Sequence, residues 1–137
     1  MNKILTITNT TLQIAIFLRV KFISCYYCIM KKSIEIFEQI SDEINSHRTY
    51  YTFNKTSQED LSDKYRKGRV NVTNWASELI WLYIQKEKNF LLEFKEHITN
   101  QKNKLNKLPN KDFKKGIFDE LNFIEEIVNN ELNNRNK

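Results

Sequence analysis

Few residues in this chain are of the types that catalyse reactions or bind metals, and their spacing matches no established motif. The chain has two histidines, His47 and His97, and two cysteines, Cys25 and Cys28. The C-x-x-C pair has no second pair, no neighbouring histidine and no strand-then-helix context, which favours two incidental thiols over zinc or redox chemistry. Glu93 precedes His97 by four residues, whereas a di-iron bundle needs two Glu-x-x-His motifs. We therefore expect no metal and no cofactor.

Carboxylate pairs, which are common in hydrolytic sites, lie in the last predicted helix. Asp119-Glu120 and Glu125-Glu126 fall on its outward side, so we expect them to be solvated. Two glycines are too few for a phosphate-binding loop, and no serine or cysteine lies in a nucleophile-elbow motif. The sequence therefore predicts a protein that is not an enzyme and has no small-molecule substrate.

One basic cluster has two competing interpretations. It comprises Lys64, Arg66, Lys67 and Arg69. Such a cluster could contact the phosphates of DNA or RNA. It could also stabilise the negative end of a helix macrodipole, and the acids just before it weaken its positive potential. Nucleic-acid binding is therefore the alternative hypothesis and not the first.

Length and composition predict one helical domain. A chain of 137 residues is long enough for a single core. Its 40% hydrophobic and 28% charged residues are ordinary for a globular protein. The chain has only 2 Gly and 1 Pro, the residues that most often form turns and end helices. This composition indicates long helices with few connections.

The first 29 residues differ in composition from the rest, because they contain three basic residues and no acid. A membrane-spanning helix is disfavoured, since Arg19 and Lys21 fall inside the apolar stretch. A lipoprotein-type signal ending at Cys25 is disfavoured by the same two charges. A membrane-spanning helix or a lipoprotein-type signal would attach the protein to a membrane, and this attachment remains an alternative function.

We favour a third interpretation, in which residues 1–29 are translated upstream sequence or a poorly ordered tail. Met30-Lys31-Lys32 is a common bacterial opening, and Ser33 is a candidate N-cap directly behind it. The domain would then be residues 30–137, ending in a frayed polar tail. It would contain no cysteine, as suits a cytoplasmic protein.

Hydrophobic periodicity predicts an antiparallel bundle of three long helices and one short helix. The first long helix covers about Ser33 to His47. The short helix starts near Ser57 and closes at Gly68, a candidate C-cap. A long central helix, about 73–108, starts at Thr73 and ends before Pro109. The last helix carries a core stripe from Phe113 to Leu132 and forms an αα-hairpin with the central helix.

The central helix carries more apolar surface than this small bundle can cover. Apolar side chains lie outside its main stripe at Trp75, Trp81, Leu82 and Leu92. A helix segment that is apolar on every side is either central in its own domain or covered by a second chain. The sequence therefore predicts a protein-binding or self-associating module that forms a homodimer or binds a partner's helix through these four residues.

Overall fold

The computed structural model contains only helices and their connections over the residues that it describes, 2–54, 60–86 and 90–135. A 3₁₀ turn, Leu105–Lys107, connects the last two helices. The four α-helices are α1 Asn2–Phe53, α2 Asp63–Gln85, α3 Leu91–Lys104 and α4 Lys111–Arg135. The prediction of an all-α fold is confirmed.

Helix α2 begins at Asp63, ten residues before the predicted start of the central helix. It continues through Gly68, where the sequence predicts the end of the short helix. Ser62 caps it, since its hydroxyl accepts a hydrogen bond from the Tyr65 N–H at 3.2 Å. Gly68 is buried inside α2 and is not a C-cap. Thr73, the predicted start of the central helix, is also buried there and donates its hydroxyl hydrogen to the Val70 carbonyl. The predicted start of the short helix, Ser57, lies outside the described residues.

The single central helix over 73–108 is wrong, because α2 ends at Gln85 and a separate helix, α3, begins at Leu91. Aromatic side chains pack the end of α2 against the start of α3. Tyr83 stacks on Phe90 with 4.8 Å between ring centroids, and it contacts Phe94 edge-on. An unbroken helix of that length would extend for about 50 Å and leave the second half of its apolar face in water. Helix α3 instead packs on the core through Leu91, Phe94 and Ile98, and it is a short helix at a different place from the predicted one.

Helix α1 extends the first predicted helix in both directions. Ser33 is buried within it and is therefore not an N-cap. The core stripe is formed by Phe37, Ile40 and Ile44, each almost fully buried. Side chains 11–28 are all exposed, so this half of α1 projects from the bundle. That residues 1–29 lie outside the domain stays a prediction.

Contacts along α1 and α2 give the relative direction of these two helices. Near one end Tyr51 approaches Tyr65, with 6.4 Å between ring centroids, and near the other Phe37 approaches Tyr83 at 5.6 Å. Because later residues of α1 meet earlier residues of α2, the two helices are antiparallel.

Helix α4 also runs opposite to α1. His47 contacts Glu120, whereas Ile36 lines a groove shared with Glu131 and Arg135. Helices α2 and α4 are therefore parallel to each other. Helix α3, which lies between them in the sequence, brings the chain back to the end of the bundle where α4 begins. The predicted hairpin of the central and last helices is limited to α3 and α4.

Helices α2 and α4 cross at the only two glycines of the chain, Gly68 and Gly116. A Cβ placed on Gly68 would lie within 3.0 Å of the Phe113 carbonyl oxygen, and one on Gly116 within 3.0 Å of the Tyr65 carbonyl oxygen. Real Cβ atoms essentially never come so close to backbone. The crossing therefore requires glycine on both helices.

Replacing either glycine by alanine tests this crossing. Alanine favours a helix by about 1 kcal/mol over glycine, yet we expect Gly68→Ala and Gly116→Ala each to lower the free energy of unfolding by roughly 2 kcal/mol through overpacking. The measurement is urea denaturation followed by circular dichroism. Asn74→Ala, at an exposed position of α2, is the control and should change stability little. A stabilised glycine variant would contradict the close crossing.

Candidate functional site

Three of the four residues predicted to bind a partner lie at the surface. Trp81 is 60% exposed, Leu82 47% and Leu92 71%. Trp75 is half-buried and stacks on Phe94 with 6.5 Å between ring centroids, so its ring packs at the edge of the core. The structure thus separates Trp75 from the three exposed side chains.

The three exposed side chains lie at the end of the bundle where the chain passes from α2 to α3. Trp81 and Leu82 are in the last turns of α2, and Leu92 is in the first turn of α3. A shallow groove is lined by the first two of them, Trp81 and Leu82, together with Ser77 and Glu78 of α2. We call Trp81, Leu82 and Leu92 the apolar end surface.

The predicted basic cluster does not form one continuous surface. Arg69 is buried and pairs with a carboxylate of α4. Arg66 pairs with Asp63 of its own helix. Lys64 and Lys67 are exposed. Two of the four residues, Lys64 and Lys67, are therefore the exposed cations of the cluster, and nucleic-acid binding through it stays a prediction.

Glu120 corrects the prediction that the acidic pairs of α4 are solvated, because it is fully buried. It lies one helical turn after Gly116, on the face of α4 that the crossing presses against α2. The sequence signal that could have found it is this i, i+4 spacing from a mid-helix glycine. Glu126 is exposed as predicted.

A polar cluster around Glu120 connects three helices. Arg69 Nε of α2 lies 2.6 Å from Glu120 Oε2, so the two groups form an ion pair. The Nε–H bond does not point at the carboxylate in hydrogen-bond geometry. His47 Nδ1 of α1 lies 3.2 Å from Glu120 Oε1. The imidazole also stacks on Phe123, with ring centroids 3.6 Å apart. One buried carboxylate therefore connects α1 and α2 to α4.

Two tyrosines complete the surroundings of the Arg69 guanidinium. Its central carbon lies 4.6 Å from the Tyr51 ring centre and 5.8 Å from that of Tyr65. Arg69 Nη1 donates to the Tyr65 hydroxyl at 3.0 Å, and this hydroxyl donates to Asp119 Oδ2 at 2.8 Å. Cation–π contacts and hydrogen bonds therefore support the buried cation from its other sides.

Burial controls the proton affinities in this polar cluster. Removal from water raises the pKa of Glu120, an effect that exceeds the opposing attraction of Arg69 and His47. Burial, followed by the hydrogen bond to Asp119, raises the pKa of Tyr65 to about 12. Because the pKa of Glu120 is raised on folding, the stability that this carboxyl contributes is present below its unfolded pKa and is lost as pH rises through the folded value.

The groups of the polar cluster bind to one another, an arrangement that stabilises the helix crossing. Within the described residues, no three His, Cys, Asp or Glu side chains come together to hold a metal ion. Cys25 and Cys28 are exposed on the projecting half of α1, and His97 pairs with Glu93 on the surface of α3. The two cysteines and His97 therefore lie outside the polar cluster.

Removing one member of the Arg69–Glu120 pair should cost more stability than removing both. We expect Glu120→Leu to lower the free energy of unfolding by roughly 3–5 kcal/mol, because it leaves a buried cation unpaired. Arg69→Met combined with Glu120→Leu should recover most of this loss. Chemical denaturation of the two single variants and the double variant measures the coupling.

The control is Asp63→Asn, which breaks an exposed pair of α2 and should cost less than about 1 kcal/mol. Additive effects of Arg69→Met and Glu120→Leu would show that the two charges do not depend on each other, contrary to the structure.

No protein-family model, no curated protein and no solved structure matches this chain. The function proposed below is therefore supported by the chain's own surface and charges.

Proposed function

We propose that this chain is a non-enzymatic helical protein that self-associates through the apolar end surface. The observation that carries the proposal is the exposure of Trp81, Leu82 and Leu92 at one end of the bundle, whereas the main apolar stripe of α2 and α3 is buried or partly buried. Tryptophan is enriched at the centres of protein interfaces, where its ring is desolvated.

A symmetric dimer would cover this surface with a second copy of itself. An isologous interface brings six large apolar side chains together. Their burial contributes on the order of 10 kcal/mol to the free energy of association, before the entropy that association costs is subtracted. Loss of translational and rotational freedom costs about 4–15 kcal/mol. The two magnitudes are similar, so we expect a weak dimer whose population depends on protein concentration.

Charged substitutions in the apolar end surface should prevent the dimer. We expect wild-type protein to shift from monomer to dimer over the micromolar range, and Trp81→Glu with Leu92→Glu to remain monomeric. Sedimentation velocity measures both. Phe53→Glu is the matched control, because Phe53 is 75% exposed at the far end of α1 and its substitution should not affect assembly. A wild-type chain that stays monomeric at high concentration would contradict self-association.

A second function, attachment to a membrane, is favoured by the projecting half of α1. The helix from Thr11 is long and apolar enough to cross a bilayer by length and composition, although a signal sequence passes the same test. Side chains 11–28 are exposed on every side, include no acid and extend for about 27 Å, close to the thickness of a hydrocarbon core. Arg19 and Lys21, in the middle of this stretch, favour shallow attachment over spanning.

The two cysteines provide a direct test, because both lie on the projecting half of α1. An environment-sensitive fluorophore attached at Cys25 or Cys28 should shift to shorter wavelength when anionic vesicles are added. The control replaces both cysteines by serine and places the fluorophore at Asn74→Cys on α2, where no shift is expected. An unchanged spectrum at both native cysteines, or an N-terminus at Met30 in protein from the native host, would contradict attachment.

A further inference from the structure

The connection between α3 and α4 concentrates the positive charge of the chain. Its lysines are Lys102, Lys104, Lys107, Lys111, Lys114 and Lys115, against a single acid, Asp112. Residues 102–118 therefore carry a formal charge of +5, which equals the formal net charge of the whole chain. This segment shares no residue with the basic cluster of α2 or with the apolar end surface.

Four of these lysines line a groove that contains an aromatic ring. The groove is lined by Lys102, Leu105, Asn106, Lys111, Lys114, Lys115 and Phe118. Phe118 is 45% exposed, and Lys102 Nζ lies 5.8 Å from the centre of its ring. Lys102 also pairs with Glu125. Within the described residues, the three lysines that α4 contributes form no ion pair with a carboxylate.

The α4 side chains of the groove lie along one face of the helix. Lys111, Lys114, Lys115 and Phe118 follow one another at i, i+3, i+4 and i+7. They cover about 10 Å along the axis, at 1.5 Å per residue. The first turn of α4 lies in the same segment, so the positive end of its macrodipole adds to the lysine charges.

We propose that this groove binds single-stranded nucleic acid, with phosphates on Lys111, Lys114 and Lys115 and a base stacked on Phe118. The net positive charge favours a polyanion. The exposed ring among the lysines favours single strands over duplex, because an unpaired base presents its face for stacking. An acidic peptide would match the charges but has no base to stack on the ring.

Fluorescence anisotropy of a labelled oligouridylate of about 12 nucleotides tests the proposal on the full chain. With three phosphate contacts, log affinity should fall with log salt at a slope of roughly −2. Lys114→Glu with Lys115→Glu should abolish binding. Lys64→Glu with Lys67→Glu makes the same change in net charge on α2. This control variant should keep most of the binding affinity. Loss of binding in the α2 variant alone would assign the site to the α2 cluster and overturn the proposal.

The role of Phe118 is tested separately. Phe118→Ala, at an exposed position, should weaken binding roughly tenfold while circular dichroism stays unchanged. An oligomer of the same length without bases should bind weakly to wild type and equally to Phe118→Ala. The wild-type protein could instead bind the oligouridylate, the abasic oligomer and polyglutamate with equal affinity. Such a result would show that charge attraction alone accounts for binding. That result, or no salt-sensitive binding at low salt, would overturn the proposal.

Discussion

The close crossing of α2 and α4 is the constraint on which the bundle depends. Because Gly68 and Gly116 carry no side chains, the two helix backbones approach to a distance that any Cβ would prevent. This approach aligns α2 parallel to α4 and leaves α3 to return the chain between them. Glycine inside a helix costs about 1 kcal/mol relative to alanine, so the contacts made at the crossing must offset the cost at two positions.

The buried polar cluster is a consequence of the same crossing. Glu120 follows Gly116 by one turn and Arg69 follows Gly68 directly, so the helix contact brings a carboxylate and a guanidinium together out of water. Desolvation disfavours each charge, and their pairing, with His47 and two tyrosines around them, offsets part of that cost. The cluster therefore connects α1, α2 and α4 through one buried carboxylate.

Periodicity predicted the all-α class, the core stripes of α1 and α4, and the surplus of apolar surface near Trp81. It failed at the boundaries of α2 and α3. Glycine often ends helices, so the sequence pattern predicts a helix end at Gly68, but tertiary packing places it inside α2. Neither glycine nor proline marks the end of α2 at Gln85, where Tyr83 stacks on Phe90. The burial of Glu120 also depends on a contact between distant segments, which local pattern does not contain.

Tyr83 packs on Phe37, so the projecting half of α1 leaves the bundle at the end that carries the apolar end surface. The most direct test of self-association through that surface follows the accessibility of Trp81. In a Trp75→Phe variant Trp81 is the only tryptophan, and quenching of its fluorescence by acrylamide can be measured across protein concentrations. The account predicts strong quenching in dilute solution and protection as the dimer forms. Equal quenching at all concentrations, with a dimer present, would contradict it.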